Sequence, residues 1–291
     1  MTSITVLAHA GKLQLADRRA LEHAFFMAEI KPTWVDLPKA KKATKAARAA
    51  VEAGADIVVA CGGDGTVRAA SEALVDTATA LAVFPVGTAN LFATGFGLPS
   101  HPTEVVALLQ SGQRRTIDSG VCNDRTFNVM AGAGFDARML DDADEHKERY
   151  GMLAYVRAGL RHARGNETFD VRVKVDGDPW YAGPAACVLV GNIGTLKAGV
   201  ATFPHASPTD GVLDVGIVTA TGLREWGRVL LDTVRRHPAE SPYALIGRGR
   251  KIDVRLAEEH RFELDGGCKG TADRLRFSVR PGALTLCAPV S

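Results

Sequence analysis

The sequence predicts an α/β protein of two domains, an α/β domain over residues 1–118 and a β-rich domain over residues 119–282. Three observations support this prediction. The 291 residues exceed one average domain of about 150 residues. Up to residue 116, short β-branched runs alternate with helical patterns, the order that gives a parallel sheet. From Ile117 onward, strand-like runs follow one another across glycine and aspartate turns.

The first domain is predicted to contain four strands, each followed by a helical segment. The strands are expected at 4–8, 34–37, 56–61 and 80–86, and the helices at 15–30, 39–54, 67–74 and 90–95. Gly54 ends the second helical pattern, and Pro99 follows the last. Such alternation is typical of a parallel sheet covered by helices.

The second domain is predicted to be mostly strands. They are expected at 127–131, 171–175, 185–190, 213–218 and 252–256, with helices at 150–163 and 223–236. The second helix has leucines and valines opposed by arginines. A final strand at 283–288 is expected to return to the first domain, within a segment of about residues 283–291.

Composition excludes several classes of protein. A net charge of +2, from 35 basic and 33 acidic residues, gives no global attraction to nucleic acid. The sequence has neither a leader pattern at its start nor a run of about 18 apolar residues, so we expect a cytoplasmic protein. Five scattered cysteines lack the paired spacing of zinc sites, and we expect them to be reduced.

A glycine-rich turn follows the predicted strand at 56–61. It reads Gly62-Gly63-Asp64-Gly65-Thr66 and precedes a helical stretch. Glycines let backbone N–H groups approach a polyphosphate, and a helix start adds partial positive charge. Asp64 would repel phosphate unless it faced a metal ion, which favours Mg²⁺ nearby. A tight strand-to-helix connection that uses glycine only for its geometry is the alternative.

A second loop strengthens the ligand hypothesis. Gly87-Thr88-Ala89-Asn90 follows the next predicted strand. Because parallel sheets gather ligand-binding loops at the carboxyl ends of their strands, we expect the two loops to meet at one crevice.

The chain resembles the diacylglycerol kinase catalytic domain family through GGDGT at 62–66 and PVGTAN at 85–90. The resemblance continues through nearly the whole chain, in Ile117-Asp118, Phe127-Asn128, 132–136, 151–155, Gly191-Asn192 and 208–214. It implies a three-layer α/β nucleotide lobe like that of NAD kinases and diacylglycerol kinases, a sandwich-like second lobe, and an active site in the cleft between them. The ATP-binding residues it implies are Thr44, Gly62, Gly63, Asp64, Gly65, Thr66, Val67, Arg68, Gly87, Thr88 and Asn90.

The resemblance also implies two roles for metal. Asp64 and Asp118 would belong to a network of metal and water, and a second Mg²⁺ would bind Asp210 with main-chain oxygens of Ser207 and Val212. Read without the family, the aspartate of a DG turn is most often only a turn residue.

Asp265 is the candidate catalytic base, because it aligns with the family's late aspartate-glycine-glutamate turn. An ordinary Asp-Gly hairpin is the alternative. The chain departs from the family at Gly267, where a glutamate is usual, and at Leu91 and Ala69, where carboxylates are common. The segment 9–12, His-Ala-Gly-Lys, also replaces an asparagine-proline loop.

The resemblance implies an ATP-dependent lipid kinase that transfers the γ-phosphate to a lipid hydroxyl, with diacylglycerol the first expectation and phosphatidic acid the product. Two alternatives stay open. One is a family member that binds nucleotide or lipid without turnover. The other is an NAD kinase, which also uses GGDGT but predicts glutamate at the position of Leu91.

The predicted partner is a lipid alcohol at a membrane surface, with no nucleic acid. Two basic clusters, at 39–48 and 157–164, would give peripheral contact with the inner membrane face. A solvated helix face is the plainer interpretation of each. The apolar walls of a lipid cleft are expected from Phe135, Met139, Leu140, Met152, Tyr155 and Phe203, and a homodimer is one expected oligomeric state.

Overall fold

The computed structural model describes residues 2–134, 168–194, 202–235 and 237–289. The chain forms two compact units. Unit 1 contains Met1–Ser119 and Gly282–Ser291, and unit 2 contains Gly120–Pro281. The chain therefore passes from one unit to the other twice, after Ser119 and after Pro281.

Unit 1 is built on a parallel sheet. Its strands are β1 (Ile4–His9), β2 (Thr33–Leu37), β3 (Ile57–Gly62) and β4 (Ala80–Pro85), in the order β4-β3-β1-β2. Its helices are α1 (Leu15–Met27), α2 (Ala43–Glu52), α3 (Asp64–Leu74), α4 (Leu91–Gly95) and α5 (Pro102–Ser111), with a 3-10 turn at Ala40–Lys42. Strands β1, β3 and β4 are apolar on both faces, as expected for strands covered by helices.

Two helices of unit 1 differ from the sequence prediction. Helix α3 begins at Asp64, not at residue 67, because Gly63 adopts the extended conformation of an N-cap and its carbonyl accepts the first helical N–H groups. Helix α5 was not predicted at all. Its boundary signals are present, however, with Pro102 in the first turn and Gly112 in the left-handed conformation (φ 68°) after the last.

Unit 2 is mainly antiparallel. Strand β5 (Arg115–Cys122) leads into it, and the strands that follow are β6 (Arg125–Phe127), β7 (Met130–Ala133), β8 (Phe169–Val175), β9 (Asp178–Ala185), β10 (Cys187–Gly191), β11 (Leu213–Val218), β12 (Ala244–Gly249), β13 (Lys251–Leu264) and β14 (Gly267–Leu286). Helix α6 (Leu223–Val234) and a 3-10 turn (Pro238–Glu240) lie between β11 and β12. The strands run in the order β12-β11-β10-β7-β13-β14, with β8 also paired to β13 and β9 paired to the other edge of β8.

The last strand runs from unit 2 into unit 1. Its end pairs in parallel with β4, with Leu286 opposite Leu81 and the Cys287 N–H donating to the Leu81 carbonyl at 2.7 Å. Strand β14 thus adds a fifth strand beside β4 in the unit 1 sheet.

Several elements of unit 2 can be compared with the prediction. The strand predicted at 213–218 is confirmed. The strand predicted at 127–131 is two strands, because the N–H groups of Asn128 and Val129 donate to a side chain instead of a neighbouring strand. Strand β9 was not predicted, since its first seven residues are largely exposed and two are prolines. The helix predicted at 150–163 lies outside the described residues.

All five cysteines lie in the described ranges and are free. Cys61, Cys122, Cys187 and Cys287 are buried, and Cys268 is exposed. Burial raises the pKa of the Cys122 and Cys187 thiols to about 12 and that of Cys287 to about 11. These buried thiols are therefore unreactive near neutral pH. Among the described helices, none combines the length and the apolar character needed to cross a membrane.

Candidate functional site

The loops predicted to bind phosphate lie together at the carboxyl edge of the unit 1 sheet. Strands β1, β3 and β4 are parallel neighbours, with Ala8 opposite Cys61 and Gly62 opposite Pro85. The loops after these strands therefore leave the sheet at the same edge, where ligands bind in open α/β sheets. The prediction that the two glycine loops are adjacent is supported by this register.

Gly63 and Gly87 hold the two loops in direct contact. A Cβ atom built on Gly87 would lie 2.4 Å from the Cα of Gly63, and one built on Gly63 would lie 3.2 Å from the Cα of Gly87. The Val86 N–H also donates to the Gly62 carbonyl at 3.2 Å. Glycine is required at position 87 because any larger residue would push the loops apart.

The start of α3 presents backbone amides at this edge. The N–H groups of Thr66 and Val67 donate to the Gly63 carbonyl at 2.8 and 3.1 Å, and no side chain caps the helix. The amides that precede them in an α-helix have no intrahelical acceptor and carry partial positive charge. Since the segment begins with glycines, an anion can approach these amides closely.

Thr66 and Val67 are buried, with side chains 2 and 3% exposed. The Thr66 side chain lies under Gly62, where a Cβ atom would be 2.5 Å from the threonine Cβ. The side chains of Thr66 and Val67 are therefore committed to packing and their N–H groups to the Gly63 carbonyl, so the amides that face a nucleotide are those before Thr66. Arg68 is half-buried, and its Nη1 lies 3.5 Å from the Glu72 carboxylate.

Asn90 shapes the second loop. Its side-chain oxygen accepts the Gly87 N–H at 3.0 Å, and its side-chain NH₂ donates to the Gly87 carbonyl at 2.8 Å. Asn90 is also left-handed (φ 49°), a conformation that asparagine tolerates better than most residues. The side chain thus closes the loop around Thr88, which is half-buried between Gly87 and Asn90.

Two acidic residues of unit 1 also fix the backbone. Asp64 accepts the Phe92 N–H at 3.0 Å and ties the start of α3 to the start of α4. Asp118 is 3% exposed and accepts the Gly282 N–H at 2.8 Å, which joins the two chain segments at the boundary of unit 1. Both were predicted to belong to a metal and water network, and that role stays a prediction.

The 3-10 turn at Ala40–Lys42 approaches the first turn of α3. A Cβ atom on Gly65 would lie 3.8 Å from the Ala40 Cβ. Thr44, predicted to bind ATP, is half-buried in the first turn of α2, immediately after this turn. Lys39, Lys41 and Lys42 are exposed here. The basic cluster that suggested membrane contact thus begins close to the candidate phosphate site.

Asp265, the predicted base, lies in unit 2 at the two-residue turn between β13 and β14. Its side chain is buried, and Asp265 and Gly266 have the positive φ values (48° and 73°) that such a turn requires. Its carboxylate accepts the N–H groups of Asn128 at 3.0 Å, Val129 at 2.8 Å and Met130 at 3.1 Å. These contacts give Asp265 an anchoring role, and its role as the base stays a prediction.

Asn128 and Asn192 were predicted only as positions shared with the family. In the structure they form a buried polar cluster with Asp265. The Asn192 side chain donates to the Asn128 carbonyl at 3.0 Å, and the Asn192 N–H donates to the Val129 carbonyl at 2.9 Å. Both asparagines are 1% exposed or less. The sequence shows that both side chains are polar amides. It does not show that they meet Asp265, because this depends on the pairing of β7 with β10 and β13.

At the second predicted Mg²⁺ site, the carboxylate of Asp210 already has protein partners. One Asp210 carboxylate oxygen accepts the Val212 N–H at 3.1 Å, and the other accepts Nη2 of Arg248. Arg248 Nε also donates to the buried Asp214 at 3.3 Å, directly across the β11–β12 pair. Burial raises the pKa of Asp214, and Arg248 opposes this shift. The guanidinium pairs with the carboxylate that the ion would use, and the binding of Mg²⁺ by Asp210 with main-chain oxygens of Ser207 and Val212 stays a prediction.

Across residues 2–134, 168–194, 202–235 and 237–289, no three His, Cys, Asp or Glu side chains gather in a metal-binding group.

The family departures occupy packed positions. Ala69 and Leu91 are 2 and 4% exposed, so apolar side chains fill the core where carboxylates were expected. At Gly267, in contrast, a Cβ atom would meet only the Nζ of Lys269 at 3.1 Å, followed by the Leu264 carbonyl at 3.6 Å. A side chain at position 267 is therefore sterically permitted.

The predicted lipid-cleft residues are mostly outside the described residues. This applies to Phe135, Met139, Leu140, Met152 and Tyr155, and also to the basic cluster at 157–164. Phe203 is described and is 1% exposed. Its ring packs under Gly191, where a Cβ atom would lie 2.4 Å away, so Phe203 belongs to the core of unit 2 and not to an open wall.

Comparisons with known proteins agree with these features. A family model described as a diacylglycerol kinase catalytic domain matches residues 9–122, and one described as the YegS C-terminal NAD kinase beta sandwich-like domain matches residues 129–288. The chain belongs to the family of YegS-like, diacylglycerol kinase-like lipid kinases. The resemblance predicted from the sequence is confirmed.

Two curated relatives carry the name "Probable lipid kinase YegS-like". The one from Pseudomonas putida is 30% identical over 92% of this chain and 88% of its own length, and the one from Pseudomonas aeruginosa is 32% identical over 89 and 84%. An uncharacterised Synechocystis protein is 28% identical over 81% of this chain, which spans 56% of that relative's length.

Solved structures share the fold. A structure from Bacillus anthracis titled as a diacylglycerol kinase gives a TM-score of 0.73 at 19% identity, covering 99% of this chain and 97% of that chain. A second structure from the same organism gives a TM-score of 0.84 at 22% identity, covering 99% of this chain and 95% of that chain. Yeast NADH kinase gives a TM-score of 0.55 at 11% identity, covering 99% of this chain and 84% of that chain. The predicted two-domain α/β fold of the NAD kinase-like type is confirmed.

Proposed function

We propose that the chain is an ATP-dependent lipid kinase that transfers the γ-phosphoryl group to a lipid hydroxyl, with diacylglycerol the leading acceptor and phosphatidic acid the product. The observation that carries the proposal is the contact between Gly63 and Gly87 at the carboxyl edge of the sheet. Membership of the lipid kinase family supports a lipid alcohol as the acceptor.

The proposed phosphate site uses backbone more than side chains. Amides at the start of α3 would donate to the phosphate oxygens, and the helix start would stabilise their charge. Asn90 holds the facing loop closed through Gly87, so that its backbone is organised before the nucleotide binds. Exposed lysines at positions 39, 41 and 42 would raise the local concentration of the anionic nucleotide.

We place Mg²⁺ in the unit 1 site, because the Asp210 carboxylate is already paired with Arg248. Mg²⁺ in kinases is bound by one or two carboxylates together with the phosphates, and Asp64 supplies a carboxylate within the glycine turn. Asp64 is the residue that would hold the ion, and Asp118 would orient water around it. The bound ion would neutralise charge on the β- and γ-phosphates.

The proton of the acceptor hydroxyl leaves to solvent water or to a phosphate oxygen as the new P–O bond forms, because a loose transition state does not require its removal beforehand. Phosphoryl transfer depends mainly on positioning and charge neutralisation, so a base contributes less here than in acyl transfer. The carboxylate of Asp265 is engaged by three amides. We therefore assign Asp265 to the positioning of residues 128–130, and Gly267 leaves the family's second carboxylate absent.

The second candidate function is nucleotide binding without turnover. It is favoured by a specific observation, the replacement of three family carboxylates by Ala69, Leu91 and Gly267. A chain that only binds nucleotide would need the glycine loops, because these would contact the phosphates. It would not need the acidic groups that serve the transfer step.

The deciding experiment measures ADP release and labelled lipid product from purified protein with Mg-ATP. Mixed micelles would contain diacylglycerol, sphingosine or ceramide in separate reactions, and soluble NAD⁺ would test the NAD kinase alternative. Asp64→Ala is the inactive control, and Asp64→Asn is its matched partner, because the amide oxygen can still accept the Phe92 N–H.

Each outcome has a distinct meaning. Product that appears with one lipid, and is lost in both Asp64 variants, would establish the kinase and its acceptor class. ATP binding without acceptor-dependent ADP release would establish the binding function instead. Phosphorylation of NAD⁺ with no lipid product would overturn both.

A further inference from the structure

Helix α6 (Leu223–Val234) has three differently composed faces. The face against unit 2 contains the buried residues Val229 and Asp232. A second face is apolar and open to solvent, with Leu223 55% exposed, Leu231 43% and Val234 49%. An exposed apolar strip on a helix that is already anchored indicates a surface for a further contact.

Arginines lie directly beside this strip. At about 100° per residue, Leu223, Val234 and Leu231 fall within an arc of about 80°, and Arg224, Arg235 and Arg228 fall within the next arc of about 60°. All three arginines are exposed. Arg228 pairs with Asp232 at 2.7 Å, whereas Arg224 and Arg235 make no ion pair with any described residue.

Local hydrogen bonds close both ends of the helix. Glu225 accepts the Thr221 N–H at 2.7 Å and the Thr221 hydroxyl at 3.0 Å, and so fixes the first turn. The last turn is fixed by the His237 N–H, which donates to the Asp232 carbonyl at 2.9 Å. The first and last turns of α6 are therefore closed by local hydrogen bonds, and its buried face is the one with Val229 and Asp232.

We infer that the α6 strip (Leu223, Leu231, Val234 and the flanking Arg224 and Arg235) docks the protein on an anionic lipid surface. Apolar side chains would enter the boundary between headgroups and acyl chains, while the arginines would bind lipid phosphates. The inference extends the proposed function and rests on it, because a lipid alcohol acceptor is found in a membrane.

The charge pattern favours lipid over a protein partner. Two copies of α6 packed strip to strip would bring rows of arginines together, and the like charges would repel. The cores of protein interfaces are also depleted of charge, whereas interfacial helices combine an apolar strip with arginines or lysines. Leu245 on β12, 41% exposed, adds an apolar side chain soon after α6 in the chain.

The test is sedimentation of the full chain with vesicles, without ATP. One vesicle type contains phosphatidylcholine alone, and the other contains phosphatidylcholine with phosphatidylglycerol. Leu231→Ser with Val234→Ser removes the strip, and Arg224→Gln with Arg235→Gln removes the charge. Phe26→Ser with Met27→Ser is the matched control, since these side chains are 76 and 68% exposed at the end of α1 in unit 1.

We expect the wild-type protein and the control to bind the anionic vesicles and to bind phosphatidylcholine weakly. The strip variant should bind at least about tenfold more weakly, and the arginine variant should lose its dependence on anionic lipid and on salt. Thermal unfolding would show that all variants are folded. Equal binding by the strip variant, or absence of binding by the wild-type protein, would overturn the inference.

Two further measurements distinguish membrane docking from self-association and from catalysis. If the strip instead joins two copies, size measurements in solution would show a wild-type dimer that the strip variant converts to monomer. ADP release with a short-chain diacylglycerol dispersed as monomers does not need a membrane. Turnover of the monomeric lipid without vesicle binding would contradict the docking inference and support the kinase activity. Vesicle binding without turnover would support the docking inference and contradict the kinase activity.

Discussion

A Cβ atom on Gly87 would lie 2.4 Å from the Cα of Gly63, so the two glycine loops of unit 1 touch backbone to backbone. This contact joins the loop after β3 to the loop after β4 at the carboxyl edge of the sheet. It holds the backbones of both loops at the candidate phosphate site, and it makes the loop geometry sensitive to a single methyl group at position 87.

Gly87→Ala is expected to weaken nucleotide binding by more than about tenfold and to lower the free energy of unfolding by about 1–3 kcal/mol, since the methyl group must displace backbone atoms. Nucleotide binding by calorimetry and unfolding in urea would measure the two effects. Gly227→Ala is the control, because no atom lies within 4 Å of a Cβ at that helical position. Unchanged binding by Gly87→Ala would contradict the role of the loop contact.

Asp265→Asn tests anchoring against proton transfer. The amide oxygen can keep part of the contacts to Val129 and Met130, but the charge and the second acceptor oxygen for Asn128 are lost. We expect a loss of about 1–3 kcal/mol in unfolding free energy and turnover per folded molecule within about tenfold of the wild type. Unchanged stability with turnover reduced by about 10³-fold would instead identify a general base.

Gly267→Glu restores the carboxylate that the family usually carries. The side chain has room, and its charge would lie near Lys269 Nζ, which is 3.1 Å from a Cβ at this position. We expect unfolding free energy to change by less than about 0.5 kcal/mol and lipid-dependent ADP release to rise at least about tenfold. Gly267→Gln, which has the same shape without the charge, is the control. Equal rates in the two variants would rule out the carboxylate as the missing element.

Arg248 is expected to make unit 2 independent of divalent cations. The nucleotide-free protein should unfold at the same temperature in EDTA and in Mg²⁺, because the guanidinium already binds Asp210 and Asp214. Arg248→Met should lower the unfolding free energy by about 1–3 kcal/mol, since Asp214 would stay buried without its partner. Stabilisation of the wild type by Mg²⁺ that Asp210→Asn abolishes would show that the predicted ion site exists.

The ion pair between Asp253 and Arg274 is expected to make the free energy of unfolding depend on pH. Its hydrogen bond with Arg274 lowers the pKa of Asp253 below its usual value of 3.8. The folded-state pKa is below the unfolded one, so this stabilisation is complete above about pH 4 and is lost as the pH falls through the folded-state value. Arg274→Gln should slightly lower the unfolding free energy at neutral pH and lower it less in acid, as measured by urea unfolding. An equal loss at both pH values would contradict this account.

The sequence by itself determined the alternation of strands and helices in unit 1, the two glycine loops and the family. These features are local, because β-branched runs, helical periodicity and glycine turns are visible within windows of a few residues. The strand at 213–218 was predicted correctly for the same reason. The adjacency of the loops also followed, since parallel strands align their carboxyl ends.

Only the tertiary structure decided which groups several of the predicted site residues contact. Asp265 binds the amides of Asn128 and Val129, 137 and 136 residues earlier, and Arg248 reaches Asp210, 38 residues earlier. No local pattern encodes such partners, because they depend on which strands become neighbours and in what register. The exposed strip of α6 was settled in the same way. Its amphipathic pattern was visible in the sequence, but packing against unit 2 decided which of its apolar residues stayed in solvent.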